Sequence, residues 1–256
     1  MHILEVERLI ERELSDAIQR HFPLDWSEDA VTHDFAIRLR NYFKDTDVRG
    51  LSLPLHLEWE IYKLRGSRER TYGDIGVLVR QRLPAGTEVE GAGFLEAKAR
   101  GRDSAKFPSV RHEQVQRLIE RSPHTQLLLY DYRPVPVLDA SVEPDPDWDF
   151  FPHPFLHRMV GHARVTHGPV LPLPLAAAIN QFDDGLYRFC HGVSHQFTRR
   201  YFHMHDLDFR DSAIQAVKSF PSNFGSPNII MVLRLCPVGQ ELPHSVSLPE
   251  IYGALE

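Results

Sequence analysis

Three charged residues interrupt two otherwise apolar stretches of the sequence. Asp74 lies in YGDIGVLVR, residues 72–80, and Glu96 and Lys98 lie in GAGFLEAKAR, residues 91–100. Both stretches have the composition of buried or half-buried strands, where an unpaired ionised group is strongly disfavoured. Residues two positions apart in a strand share a face, so we expect Glu96 and Lys98 to point in the same direction. If the two strands are neighbours, Asp74 joins them.

Such a cluster predicts metal-dependent chemistry on a phosphate. Two carboxylates at short range repel each other unless a cation lies between them, and oxygen ligands without cysteine favour Mg²⁺ or Mn²⁺. A metal held in this way lowers the pKa of a bound water and stabilises the charge that develops on a phosphate, while a nearby lysine orients the water. The structural alternative places Asp74 in a turn and makes Glu96 and Lys98 a solvated pair on an edge strand.

The N-terminal elements that would position these residues can be predicted from apolar spacing. Amphipathic helices are expected over residues 3–21 and from Ser27, as a cap, to about residue 43. Strict alternation predicts a half-buried strand over residues 54–64, followed by a turn and a returning strand over residues 71–81. We therefore expect these two strands to form an antiparallel hairpin.

The following segments complete a β-α-β order. A third strand is expected over residues 92–99, a helix over about 109–122 and a strand buried on both faces over 125–132. The last strand pair should be parallel with a right-handed crossover. Farther along, residues 175–189 are compatible with a helix and residues 228–235 with a strand.

The spacing of the three charged residues resembles the signature of the PD-(D/E)xK nuclease superfamily. Glu96-x-Lys98 follows Asp74 by 22 positions and falls on the next predicted strand. The resemblance covers roughly residues 28–133. One departure is Gly73, which stands where the signature has proline.

The resemblance implies an α/β fold with a restriction-endonuclease-like core. That core is a central mixed four-stranded sheet flanked by helices, and we assign it with the N-terminal helices to residues 1–133. The amino-acid composition changes after residue 133, where a segment rich in Pro and Asp begins. Residues 134–256 are therefore predicted to form a C-terminal α+β extension, an accessory region packed on the core.

The resemblance also implies roles for individual residues. Asp74 and Glu96 match the metal-binding acids, the backbone carbonyl of Ala97 would be a further metal ligand, and Lys98 matches the catalytic lysine. Gln114 stands where several branches place a catalytic-site polar residue on the following helix.

Two further assignments compete with plain structural roles. Asp34 falls where some branches carry an additional acid on the preceding helix, although a residue of a solvated helix face explains it as well. Basic residues after the third strand are expected to contact the nucleic-acid backbone, with a solvated loop as the alternative. They are Arg100, Arg102, Lys106 and Arg111, and Arg65, Arg68 and Arg70 are expected in the preceding hairpin turn.

Composition is compatible with this interpretation and limits others. The net charge is −6, but residues 61–121 carry a net charge of +5 and the remainder −11, which permits a polyanionic partner. The longest apolar run is far shorter than a membrane span and the acidic N-terminus has no signal core, so no membrane partner and a cytoplasmic location are expected. No phosphate-binding loop or dinucleotide fingerprint is present in the sequence.

The sequence as a whole predicts a Mg²⁺- or Mn²⁺-dependent nuclease that acts on DNA, with a homodimer implied by the resemblance. One alternative is a non-catalytic binding or scaffold protein on the same fold. Another is a zinc protein that uses His191, His195 and neighbouring histidines. The two cysteines, Cys190 and Cys236, form no CxxC pair and are expected to be buried thiols.

Overall fold

The computed structural model describes residues 1–64, 73–107, 112–138, 163–179, 182–218, 227–250 and 252–255. Within these ranges the protein is α/β, with a mixed, open β-sheet flanked by helices on both faces. The fold class predicted from the sequence is therefore confirmed at this level. None of the helices in these ranges is long and apolar enough to cross a membrane.

The helices longer than one turn are α1 (Ile3–His21), α2 (Glu28–Tyr42), α3 (His112–Arg121), α4 (Leu173–Ile179) and α5 (Asp211–Lys218). The strands are β1 (Thr46–Val48), β2 (Leu55–Leu64), β3 (Ile75–Arg82), β4 (Glu88–Ala99), β5 (Gln126–Tyr130), β6 (Val135–Leu138), β7 (Ala163–Thr166), β8 (Pro169–Pro172), β9 (His191–Gly192), β10 (Ile229–Pro237) and β11 (Tyr252–Ala254). A 3₁₀ turn, Asp184–Phe189, and a mixed helical segment over residues 193–203 complete the described elements.

The two N-terminal helices form as predicted. The side chain of Ser27 accepts a hydrogen bond from the backbone N–H of Ala30 and so caps α2 at the expected residue. His2 and Glu5 form a reciprocal cap at the start of α1. Both helices bury their apolar stripes against the first face of the sheet, together with alternate residues of β2 and β4.

The sheet order is β1-β2-β10-β3-β4-β5-β8-β9. Strand β1 pairs with residues 55–57 of β2, and β11 pairs with residues 62–64 of the same strand. The parallel pair of β4 with β5 confirms the prediction, and β3 lies beside β4 in an antiparallel pair. The expected hairpin of β2 with β3 is wrong, because β10 lies between them, antiparallel to β2 and parallel to β3. The continuous apolar run of β10 needs cover on both faces and a neighbour on each side.

Four strands of the C-terminal region belong to the same sheet, whereas β6 and β7 pair with each other in a separate two-stranded sheet. Strands β8 and β9 extend one side of the large sheet, and β10 lies in its interior. The predicted four-stranded sheet is thus too small, and the division at residue 133 does not separate the sheet into a core and an appendage. The predicted helix over 175–189 is correct only in part, since α4 ends at Ile179 and a separate 3₁₀ turn begins at Asp184.

Two separate apolar clusters cover the second face of the sheet. One lies under α5 and includes Phe94 of β4. The other lies under α3 and α4 and includes Leu127 and Leu129 of β5. Glu96 and Lys98 are the register partners of these two leucines, so they share that face and fall between the clusters.

Candidate active site

Lys98 lies among three carboxylates at the C-terminal end of β4, an interior strand of the sheet. Its Nζ is 2.5 Å from Oε1 of Glu96, 3.8 Å from Oδ2 of Asp74 and 3.7 Å from Oε2 of Glu28. Asp74, Glu96 and Lys98 are all buried. The convergence predicted for the three signature residues is therefore present, and the solvated edge-strand alternative does not describe it.

Asp74 is fixed by the backbone of two strands, β4 and β10. Its Oδ2 accepts from the N–H of Ala97 at 3.0 Å, its own N–H donates to the carbonyl of Leu95 at 3.0 Å, and its carbonyl accepts from the N–H of Ile229 at 3.1 Å. Gly73 before it has φ +87°. Proline is restricted to φ near −65°, so the departure from the signature at this position follows from the local backbone.

Glu96 is held between Lys98 and Gln114. Nε2 of Gln114 donates to Oε1 of Glu96 at 2.5 Å, which confirms that the predicted polar residue of α3 reaches the site. Burial, and then the charge of Asp74, raise the pKa of Glu96 to about 7. The site therefore holds a carboxyl group whose charge is disfavoured unless a cation is close.

The lysine supplies one such cation. Burial opposes the charged form of Lys98, but the carboxylates of Glu96, Asp74 and Glu28 outweigh it and raise its pKa. The ammonium is thus retained at neutral pH, as a proton-bearing group facing the carboxylates.

Glu28 is a site residue that the sequence pattern did not indicate. It is the first residue of α2, and its Oε1 accepts from the backbone N–H of Ala99 at 3.1 Å. Thr32, one turn later, donates to the carbonyl of Glu28 and hydrogen bonds with the buried hydroxyl of Tyr130. The sequence signal that could have indicated Glu28 is its position directly after the predicted cap Ser27. In the structure, this N-terminus of α2 lies beside the end of β4.

Asp34, the acid predicted for this role, lies elsewhere. It follows Glu28 by six residues, about 9 Å along the helix axis. Its carboxylate binds Nε of Arg38 at 3.0 Å and Nη1 of Arg20 at 3.3 Å. The prediction that Asp34 joins the site is therefore corrected to an ion-paired residue between α1 and α2.

Arg100 also has a different role from the predicted one. Its guanidinium is buried and donates to Asp131 at 2.7 Å and to the carbonyl of Ser104 at 2.9 Å, with Asp184 3.3 Å away. Asp131 accepts a further hydrogen bond from the hydroxyl of Tyr187. A guanidinium held in this way joins β4 to β5 and to the 3₁₀ turn, and it is not exposed for a phosphate.

The other predicted backbone contacts differ in position. Arg102 and Lys106 are exposed, and Arg102 donates weakly to the carbonyl of Leu24 at 3.5 Å. Arg111 and the arginines of residues 65–72 lie outside the described residues. Arg102 and Lys106 thus stay predictions as nucleic-acid contacts.

The histidine-rich segment does not form a ligand set. Nε2 of His191 hydrogen bonds with Oε1 of Gln196, Asp206 is paired with Arg200, and the thiol of Cys190 donates to a backbone carbonyl. Across the described ranges, no group of three or more His, Cys, Asp or Glu side chains is close enough together to hold a metal ion. Both cysteines are buried free thiols, as predicted.

The donor chemistry at Lys98 nevertheless fits a hard divalent cation. Asp74 and Glu96 offer carboxylate oxygens. With Glu28 they face the ammonium of Lys98, and within the described residues the three do not converge as a set of three metal ligands. Oxygen ligands of this kind are those of Mg²⁺ or Mn²⁺.

Comparisons with known proteins give no match for this chain. No protein-family model, no curated protein and no solved structure is similar to it at a significant level.

Proposed function

We propose that this protein is a Mg²⁺-dependent nuclease that hydrolyses phosphodiester bonds in DNA. The observation that carries the proposal is the convergence of Asp74, Glu96 and Lys98 in a buried position. They meet where β3 begins and the adjacent strand β4 ends. The resemblance to the PD-(D/E)xK superfamily supports the choice of reaction and of DNA as substrate.

The carboxylates of Asp74 and Glu96, with the carbonyl of Ala97, would hold the metal. When bound, Mg²⁺ supplies Lewis-acid stabilisation of the phosphate and a water of lowered pKa. Asp74 is oriented for this by the N–H of Ala97, and Glu96 by the amide of Gln114. Ligands held by such secondary contacts lose less entropy on binding a metal.

Lys98 contributes a proton-bearing charge beside the reacting group. Its ammonium stays charged because three carboxylates face it. It can donate a hydrogen bond to the attacking water or to a phosphate oxygen and so stabilise the negative charge that develops there. Glu28 keeps this ammonium at the end of β4 through its 3.7 Å contact.

Cleavage of plasmid and linear DNA in Mg²⁺ tests the proposal. Asp74→Ala and Glu96→Ala should each lose at least about a hundredfold in rate, as expected when one element of charge stabilisation is removed. Circular dichroism and thermal melting should show that both variants fold. Cleavage at the wild-type rate by either variant would refute the assignment.

Isothermal titration with Mg²⁺ or Mn²⁺ separates the nuclease from a non-catalytic scaffold on the same fold. The wild type should bind metal, and Asp74→Ala and Glu96→Ala should bind it far more weakly. A wild-type chain with no carboxylate-dependent metal binding and no cleavage would favour the scaffold.

A further inference from the structure

A cluster of three aromatic rings adjoins the candidate active site. The rings of Phe22 and Tyr132 stack with centroids 4.1 Å apart and an interplanar angle of 17°. Trp26 meets both edge-on, at 5.6 Å from Phe22 and 6.0 Å from Tyr132. Each of the three side chains is only partly buried. We call these residues the aromatic cluster.

Two arginines surround the cluster. The guanidinium of Arg133 lies 5.4 Å from the centroid of the Tyr132 ring, and the hydroxyl of Tyr132 donates to the carbonyl of Arg102. Both arginines are exposed. Asp25, an exposed acid of the same region, is 3.3 Å from Nδ1 of His21. Asp103, directly after Arg102, is a second exposed acid, and the positive charge of this region comes from Arg102 and Arg133.

The cluster is tied to the site along two segments of chain. Nε1 of Trp26 donates to the carbonyl of Arg100 at 2.7 Å, two residues after Lys98. Trp26 also lies two residues before Glu28, which contacts Lys98. Two residues of extended chain span about 7 Å, the length of about two stacked nucleotides at 3.4 Å each.

We infer that the aromatic cluster, with Arg102 and Arg133, binds unpaired nucleotides of the strand that enters the active site. This inference rests on the proposed nuclease function and adds its substrate class, which is single-stranded or locally unpaired nucleic acid. Aromatic rings and guanidinium planes stack on base faces, and these faces are exposed only where bases are unpaired. The arginines contribute phosphate contacts beside the rings.

Direct binding in EDTA tests the inference without cleavage. Fluorescence anisotropy would compare a labelled thymidine oligomer, a uridine oligomer and a DNA duplex of equal length. We expect the oligomers to bind about tenfold or more tightly than the duplex, since stacking contributes only with unpaired bases. The two oligomers distinguish DNA from RNA as the source of the strand.

Tyr132→Leu is the diagnostic variant, and Tyr42→Leu is its matched control. Arg12 lies 5.6 Å over the ring of Tyr42, which repeats the pairing of Arg133 with Tyr132. Tyr42 is at the other end of α2, about 21 Å from Glu28 by helix rise. Tyr132→Leu should weaken oligomer binding roughly tenfold, whereas Tyr42→Leu should bind like the wild type.

The salt dependence of oligomer binding by Arg102→Gln and Arg133→Gln is a second measurement, and it leaves the aromatic cluster unchanged. A plot of log affinity against log salt concentration has a negative slope. Each variant should make that slope less steep by about 0.7, the value for one phosphate contact with a single strand. Duplex binding equal to oligomer binding would overturn the inference. So would wild-type oligomer binding by Tyr132→Leu together with unchanged salt slopes.

Failure of the inference can be told apart from failure of the proposed function. Loss of cleavage in Asp74→Ala, with wild-type oligomer binding by Tyr132→Leu and unchanged salt slopes, would retain the nuclease and reject the aromatic cluster as a binding surface. The opposite result, Tyr132-dependent oligomer binding by a chain that does not cleave in Mg²⁺, would reject the nuclease and retain the surface.

Discussion

Lys98 and Glu96 form a buried ion pair on one face of a single strand, with 2.5 Å between Nζ and Oε1. Residues two positions apart on a strand are adjacent on its face, and here both are shielded from water. Asp74 enters the same space from the neighbouring strand. The pair is thus one part of a mixed charge cluster whose positive member is an ammonium.

Lys98→Met should separate metal binding from cleavage. The ammonium lies where it competes with a metal for the carboxylates, so its removal should leave Mg²⁺ affinity unchanged or increased. Cleavage should fall at least about a hundredfold, because the charge beside the phosphate is lost. Calorimetric titration and DNA cleavage measure the two effects. Loss of Mg²⁺ binding in Lys98→Met would contradict this account.

Glu28→Gln tests the acid that tertiary structure adds to the site. Glutamine keeps an oxygen for the N–H of Ala99 and removes the charge near Lys98, so stability should change by no more than about 1 kcal/mol. Mg²⁺ affinity and cleavage should each fall roughly tenfold, as for other residues that support metal ligands. Asp34→Asn, on the same helix, should leave both at the wild-type level.

Gly73→Ala should destabilise the protein and reduce cleavage. An added Cβ would lie 2.9 Å from the carbonyl oxygen of Leu95, and φ is +87°. Gly86 has nearly the same φ, +86°, with nothing within 4 Å of its Cβ position, so Gly86→Ala measures the backbone strain alone.

Gly86→Ala should cost about 1 kcal/mol and leave cleavage intact. Gly73→Ala should cost more, because the clash shifts Asp74 as well. Urea denaturation and cleavage assays measure both. Equal stability losses in the two variants would show that the close contact with Leu95 has no energetic effect.

Arg100→Met should lower the free energy of unfolding of the protein. It should have no direct effect on nucleic-acid affinity. Asp131 is completely buried and would lose its charged partner, a change that costs about 3–5 kcal/mol in comparable sites. Arg100→Met combined with Asp131→Leu should recover part of that loss. If instead the single variant keeps wild-type stability and loses DNA affinity, Arg100 contacts the phosphate backbone.

Acid should destabilise the native state through His191. Burial lowers the pKa of His191 to about 4, whereas an unfolded histidine titrates near 6.5. Between these values the unfolded chain holds the proton and the folded chain does not, so stability falls as pH decreases from about 6.5 to about 4.

The largest contribution of this group is about 3 kcal/mol. In His191→Gln, which keeps a donor for Gln196, the loss of unfolding free energy between pH 7 and pH 4.5 should be smaller than in the wild type. Denaturation at both pH values measures the difference. An identical pH dependence in the two proteins would rule out His191 as a source of acid sensitivity.

The sequence by itself determined the local elements and the signature residues. Apolar period and capping residues predicted α1, α2 and β2 closely, because these signals depend on neighbours a few positions away. The two-residue period of a strand placed Glu96 and Lys98 on one face, and the apolar context of Asp74 indicated its burial. Adjacent strands then brought the three together as expected.

Only the tertiary structure decided which distant segments meet. The alternation in β2 is equally compatible with β3 or β10 as a neighbour, and the sheet places β10 between β2 and β3. Which acid of α2 reaches Lys98 depends on where the helix end lies over the sheet, so Glu28 rather than Asp34 joins the site. Arg100 is buried because Asp131 and Tyr187, 31 and 87 positions later in the chain, converge on it. Long-range pairing of this kind leaves no periodic pattern in a single sequence, since it is set by the packing of whole elements.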